Sequence, residues 1–130
     1  MKFPDADIDQ IMLISYVIDE QTFLIVNREI ISEDISEFTF CPTKDLMFPV
    51  TIFNESNEQD SLMRFFNHLK QAKPIILTTF NGDFFDFPFI QRRAKILNIE
   101  LESNLGIKEE TSGRFCGQIA FMHMDCFYWV

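Results

Sequence analysis

The stretch Ile75-Ile76-Leu77-Thr78-Thr79-Phe80-Asn81-Gly82-Asp83-Phe84-Phe85-Asp86 decides the fold of this 130-residue chain. Its first half, residues 75–80, is a short apolar run that predicts a strand. Asn81-Gly82 is a tight-turn dipeptide. A helix is predicted to begin around Asp86, with Pro88 in its first turn, where a missing backbone N–H costs least. Together with the strand and helix predicted before this stretch, it gives a strand–helix–strand–helix order, which predicts an α/β domain with at least one parallel strand pair.

The region before this stretch predicts further strands and makes the sheet mixed. Residues 11–18 and 22–26 are apolar runs separated by a polar break, which predicts a hairpin. The first run lacks polar alternation, so we expect it to be buried on both faces. Residues 50–53 are a brief strand candidate, whereas residues 32–44 are polar and predicted to be irregular, with Pro42 as a breaker.

The residues between the two regions predict a helix. Ser56 and Gln59 fit the capping-box pattern S-x-x-Q, and Pro74 marks the end. The core face of this helix has apolar side chains at i, i+3, i+4 and i+7, namely Leu62, Phe65, Phe66 and Leu69.

The C-terminal third continues the α/β pattern. The helix that begins near Asp86 has a core face of Ile90, Ala94 and Leu97, and an outward basic cluster of Arg92, Arg93 and Lys95. Residues 102–113 are polar and expected to be mobile. Residues 118–123 are predicted to form a last strand, after which Asp125 is placed to open a helix that the chain end cuts off.

The composition describes a packed domain with an acidic surface. Apolar residues make up 47% of the chain, sixteen phenylalanines predict an aromatic-rich core, and the net charge is −9. This charge alone argues against a free-standing nucleic-acid binder. It fits a metal-dependent carboxylate site, or a segment whose basic partners lie elsewhere in a longer chain. The three cysteines form no C-x-x-C pair and no apolar run is long enough to span a membrane, so we expect a soluble, intracellular protein with buried thiols.

The candidate site lies where the carboxyl end of a strand meets the turn, since ligands gather at such ends in open α/β sheets. Asn81, Asp83 and Asp86 stand there. From spacing alone, the simpler interpretation is that Asp83 or Asp86 caps the helix and that Phe84 and Phe85 fill the core.

Two other groups of residues have a functional and a structural interpretation. His123 and Asp125 point the same way on a strand and Cys126 is adjacent, so a metal site is conceivable, but packing and capping are favoured because a third ligand is missing locally. The basic cluster 92–95 could contact phosphate, although a solvated helix face is the favoured interpretation.

The segment 81–86 fits N-x-x-x-F-D, and it resembles the second exonuclease motif of family B DNA polymerases. The similarity extends over the flanks of this motif at 79–89 and closely resembles one replicative type within that family. Further matches follow in order over nearly the whole chain, at residues 3–6, 9–12, 14–16, 27–30, 32–35 and 123–126. The stretch 102–117 matches least well.

The resemblance implies a mixed-sheet ribonuclease-H-like fold and a 3′→5′ exonuclease that uses Mg²⁺ or Mn²⁺ in a two-metal mechanism. Residues 1–130 would form a single partial exonuclease domain. Of the four acidic residues of the family, only Asp86 is carried over, as a catalytic metal ligand. Asn81 and Phe85 are assigned to substrate binding, with packing that fixes the Asp86 backbone as the favoured role of Phe85.

The other family motifs are expected outside this chain: D-x-E before residue 2 and Y-x-x-x-D after residue 130. The fold would then be truncated, with its first central strand absent. The chain alone would be inactive, would bind no metal tightly, and would pair its free strand edges in a swapped or edge-paired oligomer.

The resemblance also implies a nuclear parent protein that proofreads and synthesises DNA. Its partners would be the primer 3′ end, the other polymerase domains and accessory subunits, with no membrane. Two alternatives stay open: a non-catalytic ribonuclease-H-like scaffold or protein-interaction module, and an unrelated α/β binding module.

Overall fold

The computed structural model describes residues 2–36, 39–43, 46–117 and 121–130, without the side chains of residues 39–43 and 46–48. The chain forms two compact units: Gln10–Phe65 makes one, and Met1–Asp9 with Phe66–Val130 makes the other. Helices and a mixed sheet are both present, which confirms the predicted α/β class.

The unit formed by residues 10–65 contains a four-stranded mixed sheet. Its strands are β1 (Leu13–Ile18), β2 (Gln21–Asn27), β3 (Thr39–Thr43) and β4 (Leu46–Glu55), in the order β1-β2-β4-β3. β1 and β2 are antiparallel, so the predicted hairpin is confirmed, and β2 pairs with β4 in parallel. Asp19 and Glu20, at φ 47° and 67°, form the two-residue loop that suits a twisted hairpin.

Two details of this sheet differ from the prediction. The prediction that β1 is buried on both faces is wrong. Its residues alternate between exposed and half-buried, because β1 is an edge strand with only one face covered. β3 lies inside the stretch 32–44 that was expected to be irregular, of which residues 37, 38 and 44 lie outside the described part. Pro42 is tolerated in β3 because β3 is the other edge strand of the sheet, where a missing backbone N–H costs little.

Helix α1 (Glu58–Ala72) carries the predicted apolar stripe. Leu62, Phe65, Phe66 and Leu69 are all buried, and the helix ends before Pro74. The capping-box prediction at Ser56 is wrong by one residue. Asn57 caps the helix instead, because its side-chain oxygen accepts a hydrogen bond from the Asp60 N–H at 2.8 Å.

Aromatic rings pack together in the same unit. Tyr16 stacks on Phe23 with ring centroids 5.3 Å apart and meets Phe65 edge-on at 5.0 Å, while Phe23 stacks on Phe53 at 6.3 Å. Desolvation by this packing raises the pKa of Tyr16 to about 12, against a smaller opposing effect of the Arg64 charge. The predicted aromatic-rich core is therefore present here.

The other unit holds the segment that opened the sequence analysis. Its elements are β5 (Ile76–Thr79), α2 (Asp86–Ile96), α3 (Leu101–Leu105), β6 (Ile107–Glu109), β7 (Phe115–Gly117), β8 (Met122–Asp125) and a 3-10 helix (Cys126–Trp129). β5 and β8 pair in parallel, and β6 and β7 are antiparallel. The predictions of β5 and of a helix start at Asp86 are confirmed, and the helix predicted to open at Asp125 is present as a 3-10 helix.

Residues 102–113 are predicted to be polar and mobile. The structure places most of α3 and all of β6 in this stretch, where Leu105 and Ile107 are buried. Of the predicted last strand at 118–123, residues 118–120 lie outside the described part, and β8 begins at Met122.

Cys116 and Cys126 are half-buried free thiols, and the side chain of Cys41 lies outside the description. Across the described ranges of the chain, no helix has both the length and the apolar character that a membrane crossing requires.

Candidate active site

The candidate site is the loop between β5 and α2, residues 80–85, together with the end of β8. In the parallel pairing of the two strands, Thr79 lies opposite Asp125, so both strands leave the sheet at the same edge. Asn81 adopts a left-handed conformation at φ 62°, which asparagine tolerates better than most residues. Its carbonyl accepts hydrogen bonds from the N–H groups of Phe84 and Phe85, at 3.2 and 3.0 Å. This turn leads directly into α2.

The carboxylate of Asp125 ties the loop to β8. One oxygen accepts from the N–H of Asn81 at 2.7 Å and of Phe127 at 3.0 Å, and the other accepts from the N–H of Asp83 at 3.0 Å. Burial would raise the pKa of Asp125, but these three hydrogen bonds and the nearby His123 lower it overall, below its ordinary value. Asp125 is therefore ionised at neutral pH.

A second buried contact set surrounds His123, whose side chain is almost fully enclosed. Its Nδ1 lies 2.6 Å from the Phe115 carbonyl oxygen, so Nδ1 carries a hydrogen and donates. Its Nε2 lies 2.8 Å from the Thr79 hydroxyl. Asp83 is also buried, and its carboxylate accepts from the Phe115 N–H at 2.8 Å. Asp83 therefore ties the loop to β7. It does not cap α2, contrary to the simpler interpretation of the sequence.

Asp86, the predicted catalytic residue, lies at the first position of α2 and is exposed. Partial desolvation raises the pKa of its carboxyl group, its own backbone N–H opposes this, and the negative charge of Asp125 adds to the increase. Asp86 and Asp125 are thus electrostatic neighbours. Of the loop carboxylates Asp83 and Asp86, Asp86 presents its side chain at the surface.

The three predicted site residues lie on one short segment, with Asn81 and Phe85 in the loop and Asp86 at the first position of α2. Asn81 is half-buried, whereas Phe85 and Asp86 are exposed. Phe85 meets the ring of Phe3 edge-on at a centroid distance of 5.9 Å, which gives it a packing partner at the surface. The proposal that Phe84 and Phe85 fill the core is wrong, because both rings are about half exposed or more, at 59% and 49%.

Further aromatic side chains flank the loop. Phe80 meets Phe127 at 6.0 Å, Phe84 lies 6.3 Å from Tyr128, and the Arg114 guanidinium stands 4.2 Å from the centre of the Tyr128 ring. Trp129 is 78% exposed. The surface around Asn81 and Asp86 is therefore apolar and aromatic, which is unusual for so acidic a chain.

The described residues do not form a complete metal site. Within the described ranges, no group of three or more His, Cys, Asp or Glu side chains is placed to hold a metal ion. The sequence made a metal site of His123, Asp125 and Cys126 conceivable. In the structure, His123 is engaged by Thr79 and Asp125 by backbone N–H groups, which favours a structural role for these residues. The exposed Asp86 carboxylate by itself is too little for the two-metal chemistry that the resemblance implies.

The predicted outward basic cluster on α2 is wrong in one member. Arg93 is buried and donates a hydrogen bond to the Ala6 carbonyl at 3.1 Å. Arg92 is exposed and forms an ion pair with Asp7, and Lys95 is exposed. The outward part of the cluster is thus reduced to Arg92 and Lys95, which favours the solvated-face interpretation.

The contacts of Thr79 with His123 and of Asp125 with the loop are not predicted from the sequence, which offered for Asp125 a helix cap or, with His123 and Cys126, a metal site. The cap is real, since the Phe127 N–H bonds to Asp125. The sequence shows the shared direction of residues 123 and 125 on a strand, but it does not show that this strand pairs with β5.

The comparisons place the chain in a family. Residues 1–130 match the family described as DNA polymerase family B, exonuclease domain. The chain belongs to this family of exonuclease domains.

The replicative type suggested by the flanking residues is the epsilon type. The chain is 49% identical over 130 residues to the DNA polymerase epsilon catalytic subunit of Aspergillus fumigatus, 48% identical to that of Saccharomyces cerevisiae and 45% identical to that of Dictyostelium discoideum. These alignments cover 100% of this chain but only 5–6% of each relative. The chain thus corresponds to a small segment of those proteins, and the resemblance is confirmed.

Proposed function

We propose that this chain is part of the proofreading 3′→5′ exonuclease site of an epsilon-type replicative polymerase, in which Asp86 is a catalytic carboxylate. The observation that carries the proposal is the geometry of the loop. Asn81, Phe85 and Asp86 occupy one turn at the carboxyl end of β5, held by the buried carboxylate of Asp125. The family match over the whole chain supports the same assignment.

Asp86 has the properties of a ligand-binding carboxylate. It is exposed at a helix start, and neighbouring protein and the Asp125 charge raise its pKa. A divalent cation would relieve this repulsion, because it is attracted to both negative charges. Asp86 would hold Mg²⁺ or Mn²⁺ together with carboxylates outside residues 1–130, and the metals would supply the activation of water for phosphodiester hydrolysis.

Asn81 and Phe85 belong to the substrate side of the loop. Asn81 is half-buried at the turn, so its amide can meet a nucleotide only at the loop surface. The exposed Phe85 ring provides an apolar surface for a sugar or a base, and its contact with Phe3 limits its movement. The DNA ligand is a primer 3′ end delivered by the full polymerase, since the net charge of −9 makes the chain by itself a poor binder of DNA.

The finer fold assignment is ribonuclease-H-like, with residues 1–130 in one partial exonuclease domain. Support comes from the single family match over 1–130 and from the order of elements. In the described ranges, β1 and β5 each end their sheets. A central strand outside this segment would pair with such edges in the full protein, whereas the isolated chain would pair them with another copy. The parent protein acts in the nucleus with accessory subunits.

The test uses the full-length polymerase with Asp86→Ala, and Glu102→Ala as a matched control at an exposed carboxylate on α3. Exonuclease activity is measured on single-stranded DNA with Mg²⁺ and with Mn²⁺, and DNA synthesis is measured on the same preparations. Asp86→Ala should lower the exonuclease rate by at least about 100-fold and leave synthesis unchanged. Glu102→Ala should change neither.

The 130-residue chain is assayed in parallel and should not cut DNA. Unchanged exonuclease activity of full-length Asp86→Ala would overturn the catalytic assignment. Clear activity of the 130-residue chain, lost in its own Asp86→Ala variant, would show that the ligand set is complete within this segment.

The alternative is a non-catalytic scaffold that organises protein partners. It is favoured by the lack of a three-ligand metal cluster in the described ranges and by the exposed aromatic surface around the loop. The same experiment separates the two functions, because a scaffold predicts no exonuclease loss in Asp86→Ala.

A further inference from the structure

Asp125 is placed so that its side chain alone can hold the conformation of the candidate loop. It is the last residue of β8, it lies opposite Thr79 in the parallel pairing, and it is only 5% exposed. Its carboxylate accepts from the N–H groups of Asn81 and Asp83, which are on either side of Gly82. A single buried carboxylate therefore spans the turn.

The turn depends on these two hydrogen bonds. The left-handed conformation of Asn81 is strained for a residue other than glycine, and it persists only where its surroundings enforce it. Without Asp125, two backbone N–H groups at the turn would lose their partner, one of them buried. The loop would be expected to leave its present conformation.

The conformation of Asn81 is passed on to Asp86 through the backbone. The Asn81 carbonyl accepts from Phe84 and Phe85, and the Gly82 carbonyl accepts from the N–H of Phe87 at 2.9 Å. Asp86 lies between these bonded residues at the start of α2. A shift of the turn therefore moves the Asp86 carboxylate as well.

We infer that Asp125 is a positioning residue, which sets the Asn81 amide and the Asp86 carboxylate in the orientation that exonuclease action requires. This inference rests on the proposed function of the loop. Asp125 does not touch the substrate itself, because it is buried and its two oxygens are used by three backbone N–H groups. It acts through the loop.

The test is a double-mutant cycle in the full-length polymerase, with Asp125→Asn, Asn81→Ala and the double variant. An asparagine keeps one acceptor oxygen but turns an N–H₂ group toward a backbone donor. It therefore cannot accept from the N–H groups of both Asn81 and Asp83. Exonuclease kcat and KM on single-stranded DNA are measured, and DNA synthesis by the same preparation gives the amount of folded enzyme.

Asp125→Asn should lower exonuclease kcat by about 100-fold, as expected for misplaced catalytic groups, and leave synthesis unchanged. If Asp125 acts through the Asn81 turn, the double variant should be no more than about threefold worse than the more damaged single variant. A purely structural role would instead multiply the two losses.

Two further variants keep the result interpretable. Asp125→Ser retains a cap for Phe127 but cannot reach both loop N–H groups, so it should lose exonuclease activity to the same extent with better folding. Glu58→Gln removes another buried carboxylate that accepts a backbone N–H, from Ile11 at 2.8 Å, outside this loop. It should lower thermal stability and leave exonuclease kcat unchanged.

The inference is overturned if Asp125→Asn keeps exonuclease kcat within about threefold of the parent, or if the losses in the cycle multiply. An equal loss in Glu58→Gln would also overturn it. If Asp86→Ala and Asn81→Ala are both fully active, the proposed function fails. If they are impaired while Asp125→Asn is active, only the positioning role fails.

Discussion

Thr79 and Gly82 are in contact at the end of β5, so closely that a methyl group on Gly82 would lie 2.4 Å from the Thr79 Oγ1 and 2.7 Å from its Cβ. The Thr79 hydroxyl is at the same time 2.8 Å from His123 Nε2. Thr79 therefore cannot turn away from Gly82 without losing this partly buried hydrogen bond. Position 82 therefore requires glycine, because any side chain there would overlap Thr79.

Gly82→Ala should destabilise the chain by about 1–3 kcal/mol, the usual cost of overpacking, and it should reduce exonuclease activity in the full polymerase because the loop must shift. Urea unfolding measures the first effect and cleavage of single-stranded DNA the second. Thr111→Ala, at an exposed position of the same unit, is the control and should change neither. A variant as stable and active as the parent would show that the loop has room to adjust.

The elements that the sequence predicted well depend on local signals. Pro74 and Pro88 mark the end of α1 and the start of α2, and the stripe from Leu62 to Leu69 is buried as its 3.6-residue period requires. The errors arise where local patterns allow two answers. Ser56 and Asn57 are both good caps and are adjacent, so only the structure selects Asn57.

The remainder of the site could not be predicted because it is tertiary. Asp125 bonds to backbone groups 42 and 44 residues away, and Thr79 meets His123 across 44 residues. These contacts depend on the parallel register of β5 and β8, which no local pattern specifies. The helix and strand in the polar stretch 102–113 could not be predicted for a similar reason, since Leu105 and Ile107 are anchors only when a core exists to receive them.

Asn27 should be intolerant of a change that preserves its shape. It is fully buried, its amide N–H₂ donates to the Ile11 carbonyl at 2.9 Å and to Gln10 Oε1 at 3.1 Å, and its oxygen accepts from the Glu29 N–H. Asn27→Asp places an acceptor against two acceptors and buries an unpaired charge, which costs about 3–5 kcal/mol. Urea unfolding at neutral pH measures this loss, which should shrink at acidic pH as the new carboxyl group takes up a proton.

Asn54→Asp is the matched control for this change. Asn54 also uses both amide atoms, toward the backbone of Ile35, but it is exposed. Water can replace its lost hydrogen bond, so the cost should stay within about 1 kcal/mol. Equal losses for the two variants would contradict the role assigned to burial.

The raised pKa of Tyr16 predicts that the folded chain loses stability in strong alkali. Its pKa is about 12 in the folded chain and 10.0 when unperturbed, so the folded state holds the phenolic proton more firmly. The contribution to stability is complete below pH 10.0 and is lost as the pH rises toward 12. In a Tyr128→Phe background, absorbance of the phenolate reports Tyr16 alone and should show its midpoint near 12 in the folded chain. A midpoint at the unperturbed value would show that the ring is open to solvent.

Asp86→Asn should stabilise the chain at neutral pH while it abolishes exonuclease activity. Desolvation, reinforced by the Asp125 charge, raises the pKa of Asp86, so the folded state is penalised once this group ionises. That penalty is absent at a pH below the unperturbed pKa, grows as the pH rises toward the folded value and is constant above it. Asparagine removes the charge, so its melting temperature should exceed that of the parent at neutral pH and match it in acid.

Glu102→Gln, a carboxylate-to-amide change at an exposed position, is the control and should show no such pH-dependent gain. Functional carboxylates are often kept at a cost to stability, because the charge that destabilises the free protein is the one that binds the ligand. A melting temperature of Asp86→Asn that stays at or below the parent's at neutral pH would mean that the Asp86 charge is compensated within the chain. Asp86 would then lack the electrostatic reason to recruit a cation.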